Sequence, residues 1–402
     1  NNTKSNTYTL SQNMVINNYG VDSEENILKD AYVQSAKFTI KGKNSAVLST
    51  ANEISGITLA GTSNILPSKQ ALIISSITMQ GFDGAIINKG GKVTLTSVNF
   101  VDNETEGNGS AIRNLVNGAY SGSVTLKGTS KKYAQLIGNF SSKNGGAIYN
   151  DGSLTLQYAQ FGLNTTVYNQ AVNGGAIYSS GILKLTTNRF YNNVAENGGA
   201  IYIDSQGKSS TSITSNTFLK NSASNGGGVF VESGYVNILK STFGSANDKT
   251  SGNVAEINGG AIYNVGSVDN NKTSVSASKF YYNNAVLGGA IYNNGIMTDS
   301  KSLYNYNTAD NGGAVFNENS LIVSGSSYTA NSVNLNGGAI YNSGSMVSYS
   351  KGAVAGGVTS SKFVGNYAEQ FGGAIYNEGT FVAQYVQFGN TSSVEKFLNT
   401  AK

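Results

Sequence analysis

The chain repeats itself, and the repeat constrains the fold more than any other feature. Asn-Gly-Gly-Ala-Ile-Tyr-Asn occurs in full at 144–150, 258–264 and 336–342. Close variants contain Ala176, Ala200, Gly228, Ala290, Ala314 and Ala374, and degenerate ones Ala85 and Ala111. Across these eleven copies, successive Ala (or Gly228) positions are never fewer than 24 residues apart. A second motif, an aromatic residue followed three positions later by Asn, alternates with the first. Its examples are Phe100/Asn103, Phe161/Asn164, Phe190/Asn193, Phe218/Asn221, Phe280/Asn283 and Phe363/Asn366. Tyr304, Tyr328 and Leu136 stand in for Phe, and Phe243 departs because Asn247 comes four residues later. Between the motifs runs an apolar–polar alternation, as in Lys92-Val-Thr-Leu, Ser153-Leu-Thr-Leu and Ile182-Leu-Lys-Leu. Period-two alternation bounded by Gly, Asn and Ser signals short strands, and helical periodicity is absent.

Three short strands cannot bury a core alone, but stacked repeats can. Each strand then pairs in parallel with its equivalent one coil away, at a spacing of about 4.8 Å. The pattern predicts an all-β chain, a right-handed parallel β-helix with three short strands per coil of about 24 residues. The hand follows the usual handedness of parallel crossovers. A β-propeller needs blades of roughly 40 residues, which this period does not supply. The β-helix is expected over 46–390, with an N-terminal cap or assembly segment at 1–45 and a C-terminal tail or cap at 391–402.

Side-chain parity assigns inside and outside. The Ile position of the first motif is always β-branched and aliphatic, from Ile86 to Ile375, and is expected inside. The next position carries Tyr149, Tyr178, Tyr202, Phe230, Tyr263, Tyr292, Phe316, Tyr341 and Tyr376, but also Arg113. An Arg does not belong in a narrow dry core, so this column is expected outside as an aromatic ladder. The motif Asn (Asn150, Asn264, Asn293, Asn317, Asn342, Asn377) shares the Ile parity and is expected to bond its equivalent one coil away. The Phe of the second motif is expected in the core, and its Asn in a left-handed turn.

Composition removes several function classes. The 402 residues contain no Cys and no His, which excludes Cys and His catalysis, Cys/His zinc sites and disulfides. The net charge of +4 is spread along the chain, a poor match to a nucleic-acid binder. No apolar run reaches the ~18 residues of a membrane span. Neither the Ca²⁺-binding Gly-rich nonapeptide nor an Asp-rich loop occurs, so no metal and no cofactor are expected. Insertions break the rhythm near Leu115–Tyr133 and Ser343–Ser361, with smaller ones near Asp204–Thr211, Val265–Ser276, Thr165–Val172 and Asp248–Ile257. Loops on a solenoid are candidate contact surfaces.

The alternation of Gly-Gly-Ala-Ile with Phe-x-x-Asn over residues 84–390 resembles the passenger domains of chlamydial polymorphic outer-membrane proteins. It also resembles adhesin-like surface proteins that carry the same repeats. The resemblance implies an exported, extracellular protein of the cell surface. Its expected partners are a host or microbial cell surface, a glycan or cell-wall polymer, or copies of itself. No membrane β-barrel is visible after the repeats in this sequence, so autotransport is not expected.

Three functions follow as expectations. The first is a non-enzymatic adhesin, with the aromatic ladder as its binding surface. The second is a subunit of a filament or surface layer assembled through the β-helix ends. The third is a carbohydrate-active enzyme, since parallel β-helices host lyases and hydrolases. For that reading the best acidic pair is Asp204 with Glu232, at equivalent places in adjacent coils, with Asp151 in the same column two coils earlier.

Overall fold

The computed structural model describes residues 5–10, 14–16, 37–42, 46–50, 55–59, 66–163, 166–206, 210–265, 272–348, 360–384, 386–389 and 398–402. The chain divides into two units, Asn1–Val194 and Ala195–Lys402. Each is a parallel β-helix built from three parallel sheets, one for each strand of the repeat.

In the first unit, the strand after the Gly turn recurs at Lys92–Thr96, Ser123–Lys127, Ser153–Gln157 and Ile182–Thr186, each in parallel register with the next. The aromatic strand and the Ile-Tyr-Asn strand stack in the same way. In the second unit Ile262, Ile291, Val315, Ile340 and Ile375 follow one another in register. The residues expected as an N-terminal cap include strands Ser5–Leu10 and Lys37–Gly42, which already pair in parallel with each other and then with Ala71–Ser75. In the tail, Thr400–Ala401 pairs in parallel with Tyr367–Ala368. A fourth strand of two residues, too short to show as periodicity, adds a side at Thr308–Ala309, Ser332–Val333 and Tyr367–Ala368.

Inward residues form columns. Ile86, Ile112, Ile148 and Ile177 are fully buried, as are Phe100, Leu136, Phe161 and Phe190. In the second unit, ring centroids along Phe218, Phe243, Phe280, Tyr304, Tyr328 and Phe363 lie 4.5–4.9 Å apart, nearly parallel. This is the strand spacing of a sheet, so the backbone ladder sets the stacking distance.

Two buried amide ladders line the turns. The Ile-Tyr-Asn amides donate coil to coil, Asn264 to Asn293, Asn293 to Asn317 and Asn317 to Asn342, at 2.6–2.7 Å. The Asn of the second motif forms another, against the expectation of a left-handed turn. Asn283 donates to Asn307, Asn307 to Asn331 and Asn331 to Asn366, at 2.9–3.0 Å. The left-handed residue is the one before it: Asp102, Asn192, Lys220, Tyr282, Tyr306 and Ala330 have φ between 48° and 58°. The chain turns there so that the next side chain points inward, where its amide serves otherwise unpaired backbone groups.

Two rungs come from unexpected residues. Asn164 lies outside the described residues, and the ladder uses Asn169; in the Phe243 coil it uses Asn253 rather than Asn247. Insertions after Phe161 and Phe243 displace the rung from its aromatic. The distance to the following Gly-Gly, five or six residues, is what stays constant.

Ala330 occupies a turn position that Gly365 fills one coil later, with φ of 52° and 62°. A left-handed Ala carries about 1 kcal/mol of backbone strain relative to Gly. Ala330→Gly is therefore expected to stabilise the second unit by roughly 0.5–1 kcal/mol, read as a higher denaturant midpoint at unchanged slope.

Candidate functional site

The outer face of the Ile-Tyr-Asn sheet carries the aromatic ladder. In the first unit Tyr149 and Tyr178 stack at 5.2 Å. In the second, Tyr202 stacks on Phe230, Tyr292 on Phe316, and Phe316 on Tyr341. Tyr263 meets Phe230 and Tyr292 edge-on, and Tyr376 is tilted against Tyr341. The residues are half-buried or, for Phe230, Tyr292 and Phe316, buried, because the rings cover one another. Ring edges and hydroxyls, rather than open ring faces, form the outer surface. Arg113 sits in this column and is held by Asn108, Thr105 and an ion pair with Asp83.

A carboxylate column borders the ladder in the second unit. The Tyr202 hydroxyl donates to Glu232 at 3.3 Å, and Tyr341 and Tyr376 both donate to Glu378, at 2.6 and 3.1 Å. Burial pushes the Tyr292 phenol far above its ordinary value, and the neighbouring Glu318 adds to the shift. Tyr341 is raised by burial and then by its bond to Glu378. These phenols are therefore lasting donors, and the carboxylates Glu232, Glu318 and Glu378 lie beside them three and two coils apart.

The Asp204/Glu232 pair is not assembled as expected. A β-bulge between Ile203 and Asp204 shifts the register, so Asp204 pairs with Ser233, whose hydroxyl donates to it at 2.7 Å. Glu232 instead receives Tyr202. Asp151 lies in the other unit, bonded by the Ser180 hydroxyl. One extra residue in a strand flips its neighbour's facing, and spacing alone did not show it.

Sequence reasoning missed two features. The first is a groove of about 510 Å³ along the fourth side of the second unit, with Ala255, Ala285, Ala309 and Val333 among its lining residues. Glu256, Asp310 and Glu369 line it too, and register places successive carboxylates two strands, about 10 Å, apart. Each is engaged: Glu256 by Ser224, Asp310 by Asn334, and Glu369 by Lys402, whose hydrogen bond holds that carboxylate below its usual range. Such a groove can hold hydrogen-bonding or cationic groups along its length. Its only sequence signal is the small residue two places after each ladder Asn, at Ala255, Ala285, Ala309 and Val333.

The second is Asp299, buried in an aliphatic column between Val275 and Val323. Tyr328 donates to its Oδ2 at 3.2 Å, while among the described residues its Oδ1 and the Tyr304 hydroxyl have no hydrogen-bond partner. Burial pushes the carboxyl up to about 6 against the pull of neighbouring hydroxyls. The signal was present: the Phe column changes to Tyr at 304 and 328, beside this residue.

Among the described residues, no group of three or more His, Cys, Asp or Glu is arranged to hold a metal ion. Among them, no helix is long and apolar enough to cross a membrane. No curated protein and no solved structure matches the chain. The model of the Chlamydia polymorphic membrane protein repeat matches residues 135–151 and 189–204. Both matches run from the aromatic strand through the Gly-Gly turn into the Ile-Tyr strand. The chain thus carries, at two places on its coils, the repeat of the Chlamydia polymorphic membrane proteins.

Proposed function

We propose that this protein is a non-enzymatic, adhesin-like protein displayed on the cell surface. It attaches through the outer columns of its β-helix to a host or microbial surface, a glycan or a cell-wall polymer. The observation that supports this most is the polymorphic membrane protein repeat, lying on coils whose interiors are filled with side chains. Function is thereby left to the outside. The hydroxyl edge of the aromatic ladder and its carboxylates are the proposed contact strip, since stacked, rigid aromatics offer large area at little entropic cost.

Beads coated with the chain are expected to stay on cells, or on isolated wall polymer, under flow that removes albumin-coated beads. Replacing Tyr202, Tyr263 and Tyr341 by Ser is expected to lower retention severalfold while leaving the circular dichroism spectrum unchanged. Retention at the albumin level on bacterial cells, animal cells and wall polymer alike would refute the reading. A second reading, self-association, is favoured by Phe371, Val382 and Phe388, which are exposed on the last described coil. Light scattering that shows growing species with concentration supports it.

A further inference from the structure

The first unit carries a corner of one charge sign. Residues 123–194 contain Lys127, Lys131, Lys132, Lys143, Lys184 and Arg189 against a single carboxylate, Asp151. Asp151 precedes strand Ser153–Gln157, whereas the corner in question follows it. There the insertion ends in a turn closed by reciprocal backbone bonds between Thr129 and Lys132. The turn is tied to the next coil by Gly128 and Ala134, whose amides bond the carbonyls of Gln157 and Tyr158.

That turn places Tyr133 under Arg189. The guanidinium carbon lies 4.2 Å from the ring centre, and Tyr158 braces the ring edge-on at 5.7 Å. Arg189 is exposed, and its guanidinium makes no hydrogen bond and no ion pair among the described residues. The contrast with Arg113, the chain's other Arg, is complete: that one is consumed by internal partners. Stacking on an aromatic ring fixes the guanidinium plane while leaving its N–H fork open, which pre-organises it for a planar or tetrahedral oxyanion. Lys127, at the end of strand Ser123–Lys127, and Lys131 and Lys132, in the turn that leads to Tyr133, are exposed.

We propose that this corner binds an acidic polysaccharide, with the Arg189 fork on a carboxylate and Lys127, Lys131 and Lys132 on neighbouring charges of the same chain. The register favours a polysaccharide over other polyanions. Gln135, Gln160 and Arg189 form one column at successive coils; Gln160 is buried and donates its amide to the Gly162 carbonyl, so the half-buried Gln135 is the amide that continues the line below the guanidinium. Amides serve sugar hydroxyls, which every residue of a polysaccharide offers. The proposal rests on the adhesive reading above and names its ligand class.

The probe is polygalacturonate, titrated onto the whole chain at low and high salt, with duplex DNA of equal charge alongside. Binding is expected to weaken steeply with salt, and DNA to bind less tightly. Arg189→Gln is expected to weaken polygalacturonate by roughly tenfold, Arg189→Lys severalfold because the fork is lost, and Lys131→Gln with Lys132→Gln to reduce the salt slope. Lys249→Gln, in the other unit, is expected to change nothing. All substituted residues are exposed, and unchanged melting verifies the fold. Parent-like binding by Arg189→Gln, or DNA bound as tightly as polygalacturonate, overturns the proposal. Beads that adhere while the parent ignores polygalacturonate also overturn it, and leave the adhesive reading standing. Polygalacturonate binding with beads that do not adhere supports this site and overturns the adhesive reading instead.

Discussion

Gly289→Ala is expected to cost the second unit about 3 kcal/mol or more, enough to open the coils around it. Gly288 holds the left-handed turn, with φ of 66°. Gly289 lets the backbone of one coil pass the next. A Cβ there would lie closer than 3 Å to the carbonyl oxygens of Gly313 and Thr308. Both are backbone atoms, and Gly313 and Thr308 each take part in the hydrogen bonding between coils. They cannot yield as a flexible side chain would. Because stability in a solenoid is a sum of coil and neighbour terms, the lesion is expected as an added early transition in denaturant unfolding followed by tyrosine fluorescence. Gly107→Ala is the control. Its Cβ would meet only the Thr105 and Arg113 side chains, at 3.4 Å and 3.8 Å, and a change within about 0.5 kcal/mol is expected. A single parent-like transition for Gly289→Ala would mean that the coils do not pack through this turn.

Removing the buried carboxyl is expected to do the opposite. Asp299 titrates at about 6 in the fold, because burial disfavours its charge, and at 3.8 as a free side chain. Between those values the folded chain holds a proton that the unfolded chain has released. The contribution of this group to stability is therefore full below pH ~4, falls as the pH rises to ~6, and is lower by about 3 kcal/mol above that. Asp299→Val with Tyr328→Phe matches the column, since Val275 and Val323 flank the site, and removes the hydroxyl that would lose its acceptor. The double variant is expected to exceed the parent by about 1–4 kcal/mol at neutral pH and to lack the fall between pH 4 and 6. Denaturant midpoints across pH measure both. Parent and variant curves that fall in parallel would assign the pH dependence to other groups.

Much of the fold was legible because each inward column is written in the sequence as a recurring residue. The Ile of Gly-Ala-Ile-Tyr, its Asn two places later and the Phe of the second motif each sit where parity puts them. Spacing counted from the aromatic misplaces a rung wherever an insertion intervenes. Asn169 and Asn253 are ladder rungs that insertions separate from Phe161 and Phe243. A bulge of one residue separates Asp204 from Glu232. Such shifts leave composition and period intact and change only which side chains meet.

The sequence by itself determined that the chain winds as stacked parallel coils, because only stacking lets three short strands with one apolar face each escape water. It determined too that the Ile, the Asn two places later and the Phe of the second motif point inward, because strand parity puts them on the apolar side. Only the tertiary structure decided what the coils bring together across 20 or more residues: Asp299 with Tyr328, Arg189 over Tyr133, and the line of carboxylates on the fourth side. Those meetings depend on loop paths and local register, which follow from backbone packing rather than from any repeating pattern.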